Sequence, residues 1–168
     1  ASLVAGAAYS WTGPNGFAST AQSPSPAVAS ATAADGGAYS VVAVALGCSS
    51  AAATAVVTVN PLPAAPAASS NSPVCAGSPI SLNASLVAGA TYSWTGPNGF
   101  ASTAQNPSPA VASATLADGG TYSVVAVALG CSSAAATTVV AVNPLPASPA
   151  ASSNSPVCAG SPISLNAS

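Results

Sequence analysis

The 168-residue chain contains no lysine, arginine, histidine or glutamate, and its two charged side chains are Asp35 and Asp118. General acid–base catalysis, nucleophile activation and zinc binding all need groups of titratable or metal-binding side chains. A lack of cations also argues against contacts with nucleic acid and with anionic lipid. The composition therefore predicts a protein that is not an enzyme, binds no metal or cofactor and has no nucleic-acid partner.

Long hydrophobic runs are also missing, although 50% of the residues are apolar. Alanine is the commonest of these residues, and no uninterrupted run approaches the length needed to span a bilayer. We expect no membrane insertion. The start of the sequence lacks the charged, apolar and cleavage regions of a secretion signal, so any such signal is expected outside the given residues.

What the sequence does contain is a repeat. Residues 1–83 recur as residues 84–166 with seven differing positions, so residues 83 apart are equivalent. A fixed period of this kind marks a tandem array of structural modules.

Two proline-rich segments, 61–66 and 144–149, predict extended linkers between modules. They divide the chain into a front module at 1–60 that lacks its first strands, a complete second module at 67–143, and a tail at 150–168. The tail carries the first strands of a further module.

Short alternating segments separated by turn residues predict an all-β sandwich. Residues 80–84 and 91–95 alternate as half-buried strands, and the runs 122–129 and 137–142 predict a hairpin. No segment has a convincing helical period, and the alanine-rich stretches are too short to form isolated helices.

Four segments carry a family resemblance: Pro73-Val74-Cys75-Ala76-Gly77, Tyr92 to Phe100, Gly120 to Val124, and Gly130-Cys131. In order and spacing the module resembles the immunoglobulin-like and PKD-like repeats of large secreted bacterial surface proteins. The resemblance covers the whole repeat. It implies tandem antiparallel immunoglobulin-like sandwiches, out of phase with the chain termini, in a stalk, adhesin or filament.

The resemblance also implies structural roles for paired residues. Trp11 and Trp94 are expected to be core tryptophans of the two modules. A turn that ends in a corner tyrosine is expected at Asp35 and Tyr39, and again at Asp118 and Tyr122.

The aromatic residues allow two interpretations. Tyr92, Trp94 and Phe100 could form a sugar-stacking platform, because exposed aromatics usually have a partner. We favour core packing, because Tyr92 and Trp94 alternate with serine and threonine as on a half-buried strand.

The four cysteines suggest disulfides in an oxidising compartment, and hence an extracellular or cell-surface protein. They allow three pairings, and the sequence alone does not choose among them. The immunoglobulin-like topology implied by the resemblance favours Cys75 with Cys131 inside one module. Cys48 and Cys158 would then bond to a neighbouring module or subunit.

Two short motifs match N-glycosylation sequons, at Asn83 and at Asn166. The pattern is short, so it predicts glycosylation only weakly, and glycans are also considered as partners.

The incomplete ends have two explanations. The given residues are a window from a longer array, or one molecule's tail completes the front module of the next by strand addition. Both explanations predict end-to-end self-association.

The run 122–129 is apolar on both faces, which predicts a second burial surface. We expect lateral packing through Val125, Val127 and Leu129, favoured by the near absence of charge repulsion. The overall prediction is a structural repeat of an extracellular filament, stalk or sheath. The alternative is an adhesin or carbohydrate-binding repeat of a bacterial surface protein.

Overall fold

A computed structural model describes residues 4–168, so the first three residues of the predicted front module lie outside it. The described elements are β-strands and single-turn 3-10 helices. No helix in this range has the length and apolar character needed to cross a membrane.

The front module is a five-stranded antiparallel sheet. Its order is β2-β1-β3-β4, and β5 also pairs with β3. The strands are β1 (Ala8–Thr12), β2 (Ala18–Ser19), β3 (Gly37–Ala45), β4 (Cys48–Ser49) and β5 (Ala53–Val57), with 3-10 helices at Pro14–Gly16 and Ala33–Asp35.

The second module repeats this sheet and adds further strands before it. The repeated strands are β9 (Thr91–Thr95), β10 (Ala101–Ser102), β11 (Gly120–Ala128), β12 (Cys131–Ser132) and β13 (Ala136–Val140), with 3-10 helices at Pro97–Gly99 and Leu116–Asp118. The added strands are β6 (Ala68–Ser70), β7 (Val74–Cys75) and β8 (Leu82–Ala84), followed at the other end of the module by β14 (Val142–Asn143). β6 pairs with β8, and β7 pairs in parallel with β14.

The tail forms a small antiparallel pair of its own, β15 (Ala151–Ser153) with β16 (Leu165–Ala167). Its register, Ala151 opposite Ala167, reproduces that of Ala68 opposite Ala84.

The chain divides into two compact units. The first runs to Ala64 and includes the hairpin Ala126–Ser133, and the second comprises Ala65–Val125 and Ala134–Ser168. The proline-rich linker at 61–66 spans the boundary between Ala64 and Ala65.

The predicted hairpin is present in the second module. β11 pairs with β12 next to the turn and with β13 further along. Between β12 and β13 the backbone N–H of Ser133 donates to the Ala126 oxygen over 2.8 Å, while Ser133 Oγ accepts from the Ala126 N–H. The predicted strand 137–142 is two strands, because β14 leaves β11 and pairs with β7 instead.

The core of the second module lies between the β9–β11 sheet and the added strands. Its largest fully buried side chains are Trp94, Tyr122, Ile80, Leu82, Val124 and Val140. Along β11 the buried residues alternate with half-buried ones, as a strand with one inward face requires. The predicted all-β sandwich is confirmed.

Candidate functional site

The front module contains an open apolar groove of about 330 Å³, here called the front groove. It lies beside the β1–β3–β5 sheet, and the apolar carbons of aromatic, proline, alanine and valine side chains make up most of its wall. The lining residues are Trp11, Phe17, Pro24, Ala27, Val28, Ala31, Asp35, Tyr39, Ala55, Val57 and Val59.

The equivalent surface of the second module is covered. Val74, Ile80, Leu82 and Ala84, which precede the sheet, pack into the core beside Trp94 and Val140. Val140 is 1% exposed, whereas the equivalent Val57 in the front groove is 43% exposed. Within residues 4–168 the front groove is therefore a core surface that is left uncovered.

Backbone hydrogen bonds hold this cover in place. The N–H of Ile80 donates to the Val111 oxygen over 2.9 Å, and the N–H of Ala110 donates to the Ile80 oxygen over 2.7 Å. The N–H of Leu82 donates to the Pro107 oxygen over 2.9 Å. Residues 77–82 thus pair with the loop 107–114 as an added strand.

The other end of the cover is fixed by the parallel pair β7–β14. Val74 lies opposite Val142, and its N–H donates to the Ala141 oxygen over 3.0 Å. The hydroxyl of Ser72 accepts from the Ala141 N–H over 2.8 Å. This pairing joins β7, near the start of the module, to its last strand, β14.

The tail presents the same side chains to solvent. Val157, Ile163 and Leu165, the equivalents of Val74, Ile80 and Leu82, are 39%, 72% and 77% exposed. The tail backbone already has the strand register and the asparagine hydrogen bonds of residues 68–84 in the second module. Asn154 bonds to Pro162 and Ser164, just as Asn71 bonds to Pro79 and Ser81.

The sequence predicted core or turn roles for Trp11, Asp35 and Tyr39, but it did not predict the front groove that they line. The available signal was the repeat itself, since eight of the eleven groove residues are equivalent to members of the core cluster of the complete module. Recognising the groove requires knowing that residues 67–84 cover that core.

The predicted turn at Asp118 and Tyr122 has a defined geometry. The Tyr122 hydroxyl donates to the Asp118 carbonyl oxygen over 2.9 Å. Asp118 Oδ2 accepts from Thr115 Oγ1 and from the Thr115 N–H, and Asp118 Oδ1 accepts from Asn98 Nδ2. Asp35 and Tyr39 repeat this arrangement with Thr32 and Asn15.

These hydrogen bonds determine the protonation behaviour of the turn. Donation from the Thr115 side chain, then from its backbone and from Asn98, lowers the pKa of the Asp118 carboxyl group. The pKa of Asp35 is lowered in the same way by Thr32 and Asn15. Burial, followed by the nearby charge of Asp118, raises the pKa of Tyr122.

The aromatic side chains lie in or beside the core. Trp94 is buried, and its Nε1–H donates to the Gln105 carbonyl oxygen over 3.3 Å. Phe100 meets the Tyr122 ring edge-on, with ring centroids 5.3 Å apart. Trp11 is half-buried and lines the front groove.

The four cysteines are free thiols in this structure, so the predicted bond between Cys75 and Cys131 is not formed. The strand register explains why. Cys131 pairs with Ala128 at one end of β11, whereas Cys75 pairs with Asn143, beyond the Gly120 end of the same strand. Eight residue steps separate Gly120 from Ala128, roughly 26 Å at 3.3 Å per residue. A disulfide needs α-carbons within about 7 Å.

The remaining predicted residues lie on the surface. Val125 and Val127 are half-buried, and Leu129 is 73% exposed at the hairpin turn. Asn83 and Asn166 are exposed, as glycosylation would require. Within residues 4–168 no three cysteine or aspartate side chains gather into a metal-binding group.

The fold, the buried tryptophan on β9 and the tyrosine corner define the class of this protein: it carries an immunoglobulin-like domain. More particularly, residues 63–144 match the family model described as "Ig-like domain CHU_C associated". Domains of this type are typically non-catalytic and extracellular or at the cell surface. No curated protein matches the chain.

Several solved structures are similar to this chain. Murine CEACAM1b is 14% identical, with 86% of this chain and 89% of that chain covered and a TM-score of 0.42. A chain from the structure of a mouse coronavirus receptor-binding domain complexed with its murine receptor is 14% identical. The match covers 84% of this chain and 89% of that chain, with a TM-score of 0.45. The four N-terminal Ig domains of Dscam1 isoform 4.44 give 15% identity and a TM-score of 0.37, with 82% of this chain covered. This chain spans 37% of that Dscam1 chain.

Proposed function

We propose that the chain is a structural repeat of an extracellular filament, stalk or sheath, and that its modules join end to end. One observation carries the proposal. In the part of the chain that the structure describes, the front groove is an uncovered core surface, and the tail exposes the equivalents of three side chains that cover this surface in the second module.

In this proposal the tail of one copy fills the front groove of the next. Each of Val157, Ile163 and Leu165 would gain about 1.5–3 kcal/mol on full burial. The preformed β15–β16 pair lowers the entropy lost on binding. Because the contact is head-to-tail, it repeats without closing and gives a filament.

We further propose that neighbouring filaments pack laterally through Val125, Val127 and Leu129. Leu129 supports this idea because it is exposed and has a φ of 52°, a conformation unfavourable for leucine.

The alternative function, an adhesin or carbohydrate-binding repeat, has less support. It needs exposed aromatic rings, whereas Trp94 is 1% exposed in the complete module. Trp11 is more accessible, but it lines the groove that the tail would cover.

Sedimentation velocity of the full chain under reducing conditions tests the joining. We expect oligomers that lengthen with concentration, and we expect Leu165→Asp to weaken association by at least about 100-fold, since it puts a charge into an apolar site. Leu145→Asp is the matched control, because Leu145 is a linker leucine of similar exposure, 65%, outside the tail.

Equal association of the wild type and Leu165→Asp, or a wild-type chain that stays monomeric, would overturn the proposal. Denaturing electrophoresis of native material under reduction shows whether the tail that fills the groove belongs to a second copy or to the same continuous chain. A mass near two repeats identifies a second copy, and a mass of many repeats identifies a continuous array.

A further inference from the structure

The strand that carries Cys75 has a fixed neighbour in the second module. Cys75 lies opposite Asn143 in the parallel β7–β14 pair, and the N–H of Ala76 donates to the Asn143 oxygen over 2.8 Å. In a complete module this cysteine therefore lies beside the Asn143 backbone.

Asn60 occupies the position of Asn143 in the front module. Its side-chain amide donates to the Leu129 carbonyl oxygen over 3.2 Å, and its own carbonyl oxygen lies 4.0 Å from Cys131 Sγ. The hairpin thiol of Cys131 therefore lies against the residue that a bound tail would pair with.

The tail supplies the missing cysteine. Cys158 is equivalent to Cys75, so a tail seated in the front groove places Cys158 opposite Asn60. Neighbouring strands are about 4.8 Å apart, which brings Cys158 into the range of a disulfide with Cys131. By the same equivalence, Cys75 of the tail-donating copy meets Cys48 of the receiving copy.

We propose that two disulfides staple each junction between copies, Cys158 to Cys131 and Cys75 to Cys48. This inference rests on the end-to-end joining proposed above. It replaces the pairing of Cys75 with Cys131 that the family topology suggested, it gives Cys48 and Cys158 defined partners in a neighbouring copy, and it leaves no cysteine of an internal copy unpaired.

The chemistry needs an oxidant, and we assign it to a small-molecule disulfide such as oxidised glutathione. One thiolate attacks that disulfide and releases one reduced thiol. The second cysteine thiolate then attacks the mixed disulfide, forms the protein S–S bond and releases the second reduced thiol. Two protein thiols are oxidised, and one small disulfide is reduced to two thiols.

Pairs of Cys→Ser substitutions distinguish the pairings after incubation with oxidised glutathione and non-reducing denaturing electrophoresis. Cys48→Ser/Cys75→Ser leaves Cys131 and Cys158, so we expect a ladder of covalent multimers. Cys75→Ser/Cys131→Ser leaves Cys48 and Cys158, and we expect monomer. The cysteines are exposed or half-buried, so serine should leave the fold intact, as circular dichroism would check.

The opposite pattern, with a ladder from Cys75→Ser/Cys131→Ser and monomer from Cys48→Ser/Cys75→Ser, would overturn this pairing. The same variants are also run in sedimentation velocity under reductant. Association there without the expected ladder refutes the disulfides alone, whereas loss of association under reductant refutes the joining. Because the chain has no lysine or arginine, chymotrypsin rather than trypsin would release the linked peptides for mass measurement.

Discussion

At the scale of single residues, Asp35 and Asp118 matter because they are the chain's two carboxylic acid side chains. Each carboxylate closes a 3-10 turn by accepting from a threonine three residues earlier, and the carbonyl of the same residue accepts from a tyrosine hydroxyl. The sequence predicted this corner because aspartate, glycine and tyrosine lie within five residues. A local interaction of this kind is readable from sequence.

The acid sensitivity of the fold should come from these two carboxylates. Their folded pKa lies below the unfolded value of about 3.9, so their contribution to stability is complete above that value and is lost as the pH falls through the folded pKa. We expect the free energy of unfolding to be flat from pH 5 to 8 and to fall below pH 4.

Asp35→Asn/Asp118→Asn should remove most of that decline at the cost of some stability near neutral pH. Denaturant unfolding followed by tryptophan fluorescence from pH 2 to 8 measures both effects. An unchanged acid decline in the double variant would contradict the assignment. Asn83→Asp, which adds a carboxylate at an exposed position outside the turn, is the control for charge alone.

At the scale of elements, the local hairpin could be predicted from the sequence, whereas the long-range strand pairing could not. The hairpin of β11 with β12 and β13 was expected because the runs 122–129 and 137–142 flank a turn that contains Gly130. The parallel pairing of β7 with β14 joins residues 68 apart, and no local pattern signals it. For the same reason the cysteine pairing could not be read from the sequence, since it depends on which end of the module carries Cys75.

The second module makes more side-chain contacts with residues 67–84 than the front groove could make with a bound tail. In the second module the Ala84 N–H donates to Asn106 Oδ1 over 3.1 Å, and the hydroxyls of Ser70 and Thr138 lie 3.3 Å apart. The front groove has Ser23 and Ala55 at the positions of Asn106 and Thr138. A bound tail would lack both of these side-chain contacts.

Restoring the two side chains should therefore tighten the joining. Two net hydrogen bonds of about 1 kcal/mol each predict that Ser23→Asn/Ala55→Thr strengthens association by roughly 10- to 30-fold. Sedimentation equilibrium under reductant measures the change. The matched control is Ala8→Thr/Ala38→Thr, which also copies second-module residues into the front module, but at positions that do not line the front groove. An equal gain from the control would show that the effect is not in the groove.

At the scale of the whole molecule, the surface carries almost no charge. The formal net charge is −2 over 168 residues, so parallel filaments would repel each other weakly. Apolar side chains on the outer side of β11 and at its turn could then meet those of a neighbour. Lateral association should respond to charge placed on that surface more strongly than to charge placed elsewhere.

Val125→Lys/Val127→Lys places two positive charges on the outer face of β11. We expect thinner fibres that separate at lower denaturant, because a buried unpaired ammonium is costly. Leu86→Lys/Leu145→Lys is the charge-matched control, since both pairs change the formal net charge from −2 to 0 and the two control leucines, 77% and 65% exposed, lie outside the β11 sheet. Electron microscopy of fibre width, with a tryptophan-fluorescence melt to verify folding, makes the comparison. Fibres of unchanged width in the β11 variant, or equal thinning in the control, would show that β11 is not the lateral contact.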